Sequence, residues 1–413
     1  MSANGRIITA IDPGSYKVKA VIAEITDEDK PNILGFGTAV SRGIKKGKIT
    51  DLSKATESIV SAIEEAEEMA KVTPETCIAT ITGDHIKGIN TTSAIIITDQ
   101  NSDTNDLRNV EKEDLIKLTE YAKAINLPID WKILHFLPQE YVLDDQGGIK
   151  NPLDLSCRRL EAKVHLIAYN YTNATNIKKS IENSGLKLET FVSHSIASAY
   201  GSLYRDEMEL GTILIDIGGG TTDLSLHYAG GVYQTSVITV AGNNITTDIA
   251  YLLQTPLEKA EKIKKEHGLA IPSDSDADKN IDFNLINGNP SSLSKQQLAQ
   301  YIEPRVEEIL LEVKNECRKS NLNFLRTFPV VITGGSANLK RIDELAESIF
   351  ETSSRIGIPH DFTGYEEELK KPEFSAVIGL LKYYIIASKQ PDSFRTTQKR
   401  KFKWLDNFLK KFL

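Results

Sequence analysis

Three glycine-containing segments of the sequence have residue types suited to binding a nucleotide. The most distinctive, Asp216–Asp223 (DIGGGTTD), follows an apolar strand. Its successive glycines allow backbone N–H groups to approach an anion closely, and an aspartate at a strand end can hold Mg²⁺ through water. Taken alone, the segment could also be a glycine-rich hairpin that binds nothing. Its candidate ligands are Asp216, Gly218, Gly219, Gly220, Thr221 and Thr222.

A second segment, Asp12–Ser15 (DPGS), also places an aspartate directly after a strand. A lone turn of this type is common, but two such turns in duplicated units are a much stronger signal. We expect them to clamp the triphosphate of ATP from both sides. Asp12 and Asp216 would converge on one Mg²⁺ and hold it through water. The candidate ligands here are Asp12, Gly14, Ser15 and Lys17.

A third segment, Pro329–Ser336 (PVVITGGS), joins a strand to a helix predicted from about Leu339. Two glycines at such a junction allow the backbone to pack beside a flat ligand such as adenosine, although a plain strand–helix turn has the same pattern. Elsewhere, Glu261 and Lys264 lie one helical turn apart and could reach a ribose or base, or could form a solvated pair. The candidate adenosine ligands are Glu261, Lys264, Gly334, Gly335 and Ser336.

The two aspartate-led turns lie in a repeated β-β-β-α unit, which implies two like domains facing each other across a cleft. The first unit has strands at Arg6–Asp12, Lys17–Ile25 and Asn32–Val40 and a helix at Asp51–Lys71. The second unit begins about two hundred residues later, with strands at Gly211–Asp216, Asp223–Tyr228 and Val232–Val240 and a helix from about Asn244.

Two insertions interrupt this duplication, one containing a helix at Asn105–Ile125 and the other a polar, loop-rich stretch at Pro272–Lys295. The predicted organisation of the chain follows. It comprises a first nucleotide-binding subdomain (1–84 and 164–208), an inserted small α/β subdomain (85–163), a second nucleotide-binding subdomain (209–242 and 310–387), an upper subdomain (243–309), a flexible linker (388–400) and an amphipathic helix (401–413).

Composition and charge exclude several classes of protein. The chain has 413 residues and a formal net charge of −8, which disfavours a nucleic-acid partner. The three cysteines are far apart and read as reduced thiols of a cytosolic protein. We expect no signal peptide and no membrane span, since no run of about 18 apolar residues occurs. The seven histidines have no metal-ligand spacing and read as structural, and no nucleophile motif is present.

The last residues differ from the acidic body, because residues 399–413 contain six basic residues and one acidic residue. On a helical wheel the apolar residues fill one half, and Lys403, Asp406, Asn407, Lys410 and Lys411 fill the other. This pattern predicts a helix that lies on an anionic membrane surface, or one docked on the protein's own core. The predicted membrane-contacting residues are Phe402, Trp404, Leu405, Phe408, Leu409, Phe412 and Leu413.

These segments together resemble the FtsA family of bacterial cell-division proteins, which belongs to the actin/Hsp70 superfamily. The first and second turns resemble the two phosphate motifs of the family, Thr333–Ser336 its adenosine motif, and Ala260–Lys264 its AExIK segment. Gly47–Asp51, Leu137–Tyr141 and Leu160–Ala168 also resemble FtsA and distinguish the chain from actin, MreB and Hsp70. The implied fold is an α/β, actin-like duplicated nucleotide-binding fold with two subdomain insertions and a C-terminal amphipathic helix.

The resemblance implies the cofactors ATP and Mg²⁺ and a peripheral location on the cytoplasmic face of the cell membrane at the division site. It implies head-to-tail self-polymerisation through the inserted subdomain and binding of the C-terminal peptide of FtsZ by the upper subdomain. Other divisome membrane proteins are implied partners. Because its amphipathic tail would bind the membrane and its upper subdomain would bind FtsZ, the protein would tether the FtsZ ring to the membrane.

One departure concerns catalysis. His194-Ser195 stands where Hsp70-type ATPases carry a catalytic carboxylate, so we expect at most slow ATP hydrolysis and leave the catalytic residue unassigned. Two alternatives remain at this point. One is a phosphotransferase of the same superfamily, such as a sugar or acetate kinase, although no substrate-side base stands out in the sequence. The other is a non-enzymatic ATP-binding module like the pilus-assembly protein PilM.

Overall fold

The first repeat of the sequence forms a twisted meander with one long helix against it. The computed structural model describes residues 6–25, 30–97, 107–320, 322 and 325–389. The first two strands pair antiparallel along their whole length, because only a tight turn separates them. The elements are β1 (Arg6–Pro13), β2 (Lys17–Ile25), β3 (Pro31–Val40), the short pair β4 (Ile44–Lys45) and β5 (Lys48–Ile49), helix α1 (Leu52–Ala70) and β6 (Thr76–Ile81).

Helix α1 is defined by its caps and by its apolar spacing. The side chain of Asp51 accepts a hydrogen bond from the Lys54 backbone N–H at 3.1 Å, which caps the start of the helix. Lys71 adopts a left-handed conformation with φ of 54° and ends it. The residues that α1 buries against the sheet recur every three or four positions, and include Ala55, Ile59, Ala62, Ile63 and Ala66.

The insertion is a four-stranded antiparallel sheet, in the order β10-β9-β12-β7, with one helix packed on it. That helix begins at Lys112, later than predicted from the sequence, because the Asp114 side chain accepts a hydrogen bond from the Glu111 backbone N–H at 2.9 Å and fixes the start there. Residues 105 and 106 of the predicted helix lie outside the described residues. The elements are β7 (Ile86–Ile96), β8 (Arg108–Asn109), α2 (Lys112–Lys123), β9 (Trp131–Leu143), β10 (Gln146–Ile149), β11 (Ser156–Cys157) and β12 (Arg159–Asn170).

The chain then returns to the first sheet and adds a parallel strand beside β6. Two helices then follow one another between residues 194 and 210, separated by the extended backbone of Leu203 and Tyr204. The elements are α3 (Tyr171–Glu182), β13 (Lys187–Ser193), α4 (His194–Ser202) and α5 (Arg205–Leu210). The completed first sheet has the order β13-β6-β1-β2-β3.

The second repeat begins with three antiparallel strands and then enters the upper subdomain. The stretch predicted to be loop-rich forms a β-hairpin instead, because Ile281 and Leu293 pair across it and are both buried. Helix α8 starts at a capping box of Ser294 and Gln297 and runs through the predicted boundary at residue 309. The elements are β14 (Thr212–Ile217), β15 (Thr222–Tyr228), β16 (Gly231–Ile238), α6 (Gly242–Leu252), α7 (Leu257–His267), β17 (Asn280–Asn284), β18 (Pro290–Ser294) and α8 (Lys295–Arg318).

The last segment completes a second five-stranded sheet with the order β16-β15-β14-β19-β20. Its strands follow the same path as those of the first sheet, so the structure confirms the duplicated α/β fold. Its final helix continues to Lys389, two residues into the predicted linker. The elements are β19 (Val330–Thr333), α9 (Ile342–Phe350), β20 (Ser354–Ile356), α10 (Glu366–Leu369) and α11 (Ser375–Lys389).

Helices α4 and α11 pack unusually closely between the two sheets. A side chain on Gly379 would place its Cβ atom 1.8 Å from the Ala197 carbonyl oxygen, and one on Gly201 would lie 2.0 Å from that of Ser375. Glycine at both positions therefore allows the two backbones to touch. This contact fixes α4, whose first residue is His194. Within the described ranges, every helix is too short or too polar to cross a bilayer.

Candidate nucleotide-binding site

Asp12 and Asp216 end the equivalent strands β1 and β14, and both are 2% exposed. Asp12 lies opposite Lys19 on β2, and its Oδ2 atom is 2.9 Å from the lysine Nζ. Burial alone would raise the pKa of Asp12, but Lys19 and His194 outweigh it and hold that pKa well below its usual range. In the second repeat Asp216 lies opposite Asp223 on β15, so an acid replaces the lysine.

His194 lies between the three aspartates. Its Nε2 atom is 3.5 Å from Asp12 Oδ1, and its Nδ1 atom is 3.7 Å from both Asp216 Oδ2 and Asp223 Oδ2. Burial alone would lower the pKa of His194, but the carboxylates of Asp216, Asp223 and Asp12 raise it to about 10. The imidazole therefore serves as a buried cation that offsets part of the negative charge of the second repeat, where Asp223 stands in place of the lysine.

Asp223 is held differently from the other two aspartates. Burial and the charge of Asp216 raise its pKa to about 6, although His194 and a hydrogen bond from Thr82 Oγ1 at 2.6 Å oppose the shift. Its Oδ2 atom and the Nδ1 atom of His194 are buried, and neither has a hydrogen-bond partner among the described residues. The centre of the site thus has unmet hydrogen-bonding capacity, which a bound ion or ordered water would satisfy.

The aspartate-led turns of the two repeats touch each other. A Cβ atom on Gly219 would lie 2.6 Å from the Cβ of Tyr16, and one on Gly220 would lie 2.6 Å from that of Ser15. Gly14 closes the first turn by donating its N–H to the Asp12 carbonyl at 2.9 Å. The structure therefore brings together the two segments that the sequence singled out separately.

The remaining residues of these segments have structural partners. Ser15 Oγ accepts a hydrogen bond from the Gly47 N–H at 3.1 Å, and the Gly218 N–H donates to the Thr221 carbonyl at 2.9 Å. Thr221 and Thr222 are buried, and Thr222 Oγ1 donates to the Val240 carbonyl at 2.8 Å. These contacts fix the shape of the turns.

The third segment meets the second turn at Asp216. Gly334 has φ of 87°, and a Cβ atom there would lie 2.2 Å from Asp216 Oδ1, so this position requires glycine. Gly335 is exposed, and a Cβ atom there would meet no protein atom within 4 Å. Ser336 Oγ donates to the Gly218 carbonyl at 3.2 Å. After a short 3₁₀ turn at Gly335–Asn338, helix α9 begins at Ile342, slightly later than predicted.

Glu261 and Lys264 form a largely buried pair, since both side chains are 12% exposed and their Oε2 and Nζ atoms are 2.6 Å apart. The alternative that they form a solvated pair is therefore wrong. Lys264 Nζ also donates to the Gly242 carbonyl at 3.0 Å and to Thr246 Oγ1 at 2.8 Å. Because the Gly242 N–H donates to the Gly218 carbonyl at 3.0 Å, the pair is linked to the second turn through the start of α6.

Two residues outside the predicted set lie close to Asp12. Lys17 is exposed, whereas Lys19, which the sequence analysis did not single out, contacts Asp12. His194, which the sequence analysis read as a structural residue, lies at the centre of the site beside all three aspartates. Lys19 was accessible from the sequence because it follows Asp12 by the same seven positions by which Asp223 follows Asp216. His194 gave no comparable signal.

Three hydroxyl groups that the sequence did not reveal complete the surroundings of the aspartates. Thr80 Oγ1 donates to Asp12 Oδ1 at 2.7 Å, and Ser198 Oγ donates to Asp216 Oδ2 at 2.5 Å. Thr82 contacts Asp223 as described above. Each aspartate therefore has at least one hydroxyl donor and at least one positively charged neighbour. The membrane-contacting residues predicted at 402–413, and the linker from residue 390 onward, lie outside the described residues.

Two facing sheets of the same topology, with an aspartate-led turn from each meeting in the cleft, define the actin-like class of nucleotide-binding folds. Solved structures support this class. A PilM–PilN type IV pilus biogenesis complex aligns with a TM-score of 0.64 at 15% identity, covering 93% of this chain and 99% of that one. MreB5 of Spiroplasma citri bound to ADP aligns with a TM-score of 0.54 at 15% identity, covering 92% and 96%.

Sequence comparisons identify the family within this class to which the chain belongs. The family model for cell division protein FtsA matches residues 213–379, and that for the SHS2 domain inserted in FtsA matches residues 83–168. Cell division protein FtsA of Pseudomonas aeruginosa is 36% identical over 94% of this chain and 91% of its own length. FtsA of Escherichia coli K12 is 35% identical over 92% of this chain and 90% of its own length. The chain belongs to the FtsA family of cell division proteins.

Proposed function

We propose that the chain binds Mg-ATP, polymerises on the cytoplasmic membrane and tethers the FtsZ ring to it during cell division. The observation that carries the nucleotide part is the convergence of Asp12 and Asp216, from opposite repeats, on His194 at 3.5 and 3.7 Å. A cleft in which both aspartate-led turns and the Gly334–Ser336 segment meet is suited to binding a nucleotide. The membrane and partner parts are supported by family membership and by the pattern of the tail.

The residues present fit a nucleotide and its magnesium ion. Among the described residues, no group of three or more histidine, cysteine, aspartate or glutamate side chains is arranged to hold a metal by itself. Asp12 and Asp216 would therefore hold Mg²⁺ through water, with the phosphates supplying further oxygens. Once bound, the ion neutralises charge on the phosphate oxygens. The unpartnered Asp223 Oδ2 atom offers a buried acceptor for a water molecule of such a site.

Hydrolysis is expected to be slow, so ATP would act mainly as a conformational and assembly switch. His194 occupies the place predicted for a catalytic carboxylate, and three aspartates engage its ring. These carboxylates raise the pKa of His194 to about 10, and a protonated imidazole has no free lone pair to accept a proton from an attacking water. We assign no catalytic residue and propose at most a slow ATPase.

The tether rests on three parts of the chain. The tail at 401–413 would bind anionic lipid through its apolar face and its lysines. The upper subdomain would bind the C-terminal peptide of FtsZ, and the inserted subdomain would join successive copies head to tail. Other divisome membrane proteins would bind the polymer. The protein would then be peripheral, on the cytoplasmic face at the division site.

A vesicle sedimentation assay tests the whole proposal. Full-length protein is mixed with anionic vesicles, FtsZ from a bacterium with a closely related FtsA, and either Mg-ATP or no nucleotide. We expect FtsZ to sediment with the vesicles only when this protein is present, and electron microscopy to show polymers on the lipid that require ATP. FtsZ lacking its C-terminal peptide is the control and should stay in the supernatant. Vesicles that retain this protein but never FtsZ would contradict the tether.

Family membership favours this function over the two alternatives. The FtsA relatives cover more than nine tenths of the chain at 35–36% identity, whereas the pilus complex shares 15% identity and the fold. A phosphotransferase would need a substrate-side base in the cleft. The three aspartates of the described site are instead paired with Lys19, His194 and hydroxyl groups.

A further inference from the structure

A lysine of the upper subdomain reaches across the cleft to a tyrosine of the first repeat. Lys265 Nζ donates a hydrogen bond to the hydroxyl of Tyr16 at 2.7 Å, and it lies 4.3 Å from the centroid of the same ring. The two residues are 249 positions apart in sequence. The contact thus combines a hydrogen bond with a cation–π interaction between two separate parts of the molecule.

Both residues adjoin elements of the nucleotide site. Tyr16 directly follows the aspartate-led turn of the first repeat, and its Cβ packs on Gly219 in the equivalent turn of the second repeat. Its carbonyl accepts a hydrogen bond from the Ser41 N–H at 2.9 Å, which fixes its backbone. Lys265 follows Lys264 on α7, and Glu261 Oε1 lies 3.4 Å from its Nζ atom. The Glu261 carboxylate therefore holds the lysine in an orientation from which it meets Tyr16.

We propose that Lys265 and Tyr16 form a latch across the cleft that slows release of bound nucleotide. The inference rests on the proposed nucleotide-binding function and goes beyond it by assigning two residues that control residence time. In a two-lobed fold a ligand held between the lobes leaves when they separate, and this contact must break as the upper subdomain moves away from the first repeat. The hydrogen bond from the Ser41 N–H to the Tyr16 carbonyl lies within the first repeat and need not change.

The solvent exposure of the contact indicates how much its loss should speed dissociation of the nucleotide. The side chain of Lys265 is 51% exposed, so water competes for it and the latch is weak enough to open readily. Losing a hydrogen bond of this kind is expected to speed dissociation on the order of threefold to tenfold. The association rate should change less, because substitutions of this kind act mainly on dissociation.

Stopped-flow release of a fluorescent ATP analogue, in the presence of Mg²⁺, tests the latch in the full-length chain. The variants are Tyr16→Phe, which keeps the ring but removes the hydroxyl, Lys265→Met, and the two combined. We expect faster release from each single variant, with the larger effect for Lys265→Met because it removes the cation–π interaction as well as the hydrogen bond. The double variant should release the analogue no faster than Lys265→Met, because Tyr16→Phe removes only a part of the same contact. Lys262→Met is the matched control, since this lysine lies on the same helix, is 73% exposed and should leave the rate unchanged.

The possible outcomes distinguish failure of the latch from failure of the proposed nucleotide-binding function. If wild-type protein binds the analogue and all variants release it at the same rate, the latch is wrong and the nucleotide site stands. Effects of the single variants that simply add in the double variant would also overturn the latch, since the residues would then act independently. If wild-type protein binds no analogue, the proposed nucleotide function fails and the latch fails with it. Melting temperatures measured without nucleotide show that each variant is folded.

Discussion

Asp12 lies opposite Lys19 on paired strands β1 and β2, with 2.9 Å between its Oδ2 atom and the lysine Nζ. At the equivalent place in the second repeat, Asp216 lies opposite Asp223. The duplicated scaffold therefore carries a cation in one half and an acid in the other. His194, at the start of α4, supplies the missing positive charge. All three buried aspartates thus have a cation nearby only when both repeats are assembled around α4.

Replacing Lys19 with methionine should destabilise the protein by about 3 kcal/mol, because it leaves the buried Asp12 carboxylate without its closest cation. Chemical denaturation at neutral pH measures the change in the free energy of unfolding. Lys17→Met is the matched control, since Lys17 lies on the same strand but is exposed. We expect the control to change stability by less than about 0.5 kcal/mol. Equal effects of the two substitutions would contradict the assignment of Lys19 to the site.

His194 should make stability depend on pH in the alkaline range. Its pKa is about 10 in the folded protein and 6.5 ordinarily, so its stabilising contribution is complete below pH 6.5 and is lost as the pH rises towards 10. We therefore expect wild type to be more stable than His194→Gln by a few kcal/mol near pH 6.5, and this advantage to shrink by pH 10.

The comparison requires chelator and no nucleotide, so that no metal ion replaces the charge of the imidazole. Asp12, Asp216, Asp223 and Lys19 face the same space, and the pKa of Asp223 is raised to about 6. In the wild type, Asp223 accordingly contributes stability only below that pH. A difference between wild type and His194→Gln that stays constant from pH 6.5 to 10 would show that His194 is not a buried cation.

Much of the fold was predictable because its signals are local. The alternation in Lys17–Ile25 and the spacing in α1 predicted those elements correctly, and the shared pattern of the two repeats predicted the two equivalent sheets. The hairpin formed by β17 and β18 was missed, because its buried residues are few and its sequence is polar. The two phosphate turns were recognised from an aspartate, a glycine and their position after a strand.

The residues that balance charge in the site could not all be found in the same way. Lys19 is defined by its strand pairing with Asp12, and the shared spacing of seven positions was a signal that the sequence contained. His194 is brought to the aspartates by the close packing of α4 on α11, which depends on Gly201 and Gly379 nearly two hundred residues apart. Such a long-range contact leaves no periodic trace near His194.

The sequence pattern of the tail predicts how substitutions on its two faces change binding to a membrane. Trp404→Glu puts a charge on the predicted apolar face and should weaken binding to anionic vesicles on the order of tenfold or more. Asn407→Glu makes the same change of charge on the predicted polar face and should have a much smaller effect. Vesicle co-sedimentation measures both, and truncation after Gln398 should abolish binding while leaving ATP binding intact. Unchanged lipid binding by the truncated protein would show that the anchor lies elsewhere.

The central claim is that ATP binds in the cleft between the two repeats, and Gly335 offers the most direct test. A substitution at Gly219 would clash with Tyr16 and disturb folding, whereas a side chain at Gly335 meets no protein atom within 4 Å. Gly335→Asp should therefore fold normally but obstruct adenosine, and Gly335→Ala should obstruct it less.

Melting temperature is measured for wild type and both Gly335 variants, with and without Mg-ATP. At a hundredfold excess of ATP over its dissociation constant, binding should stabilise wild type by about 2.7 kcal/mol and raise its melting temperature. The account predicts that Gly335→Asp keeps the wild-type melting temperature without nucleotide and shows no increase with Mg-ATP, with Gly335→Ala in between. A full increase in Gly335→Asp, or no increase in wild type, would contradict it.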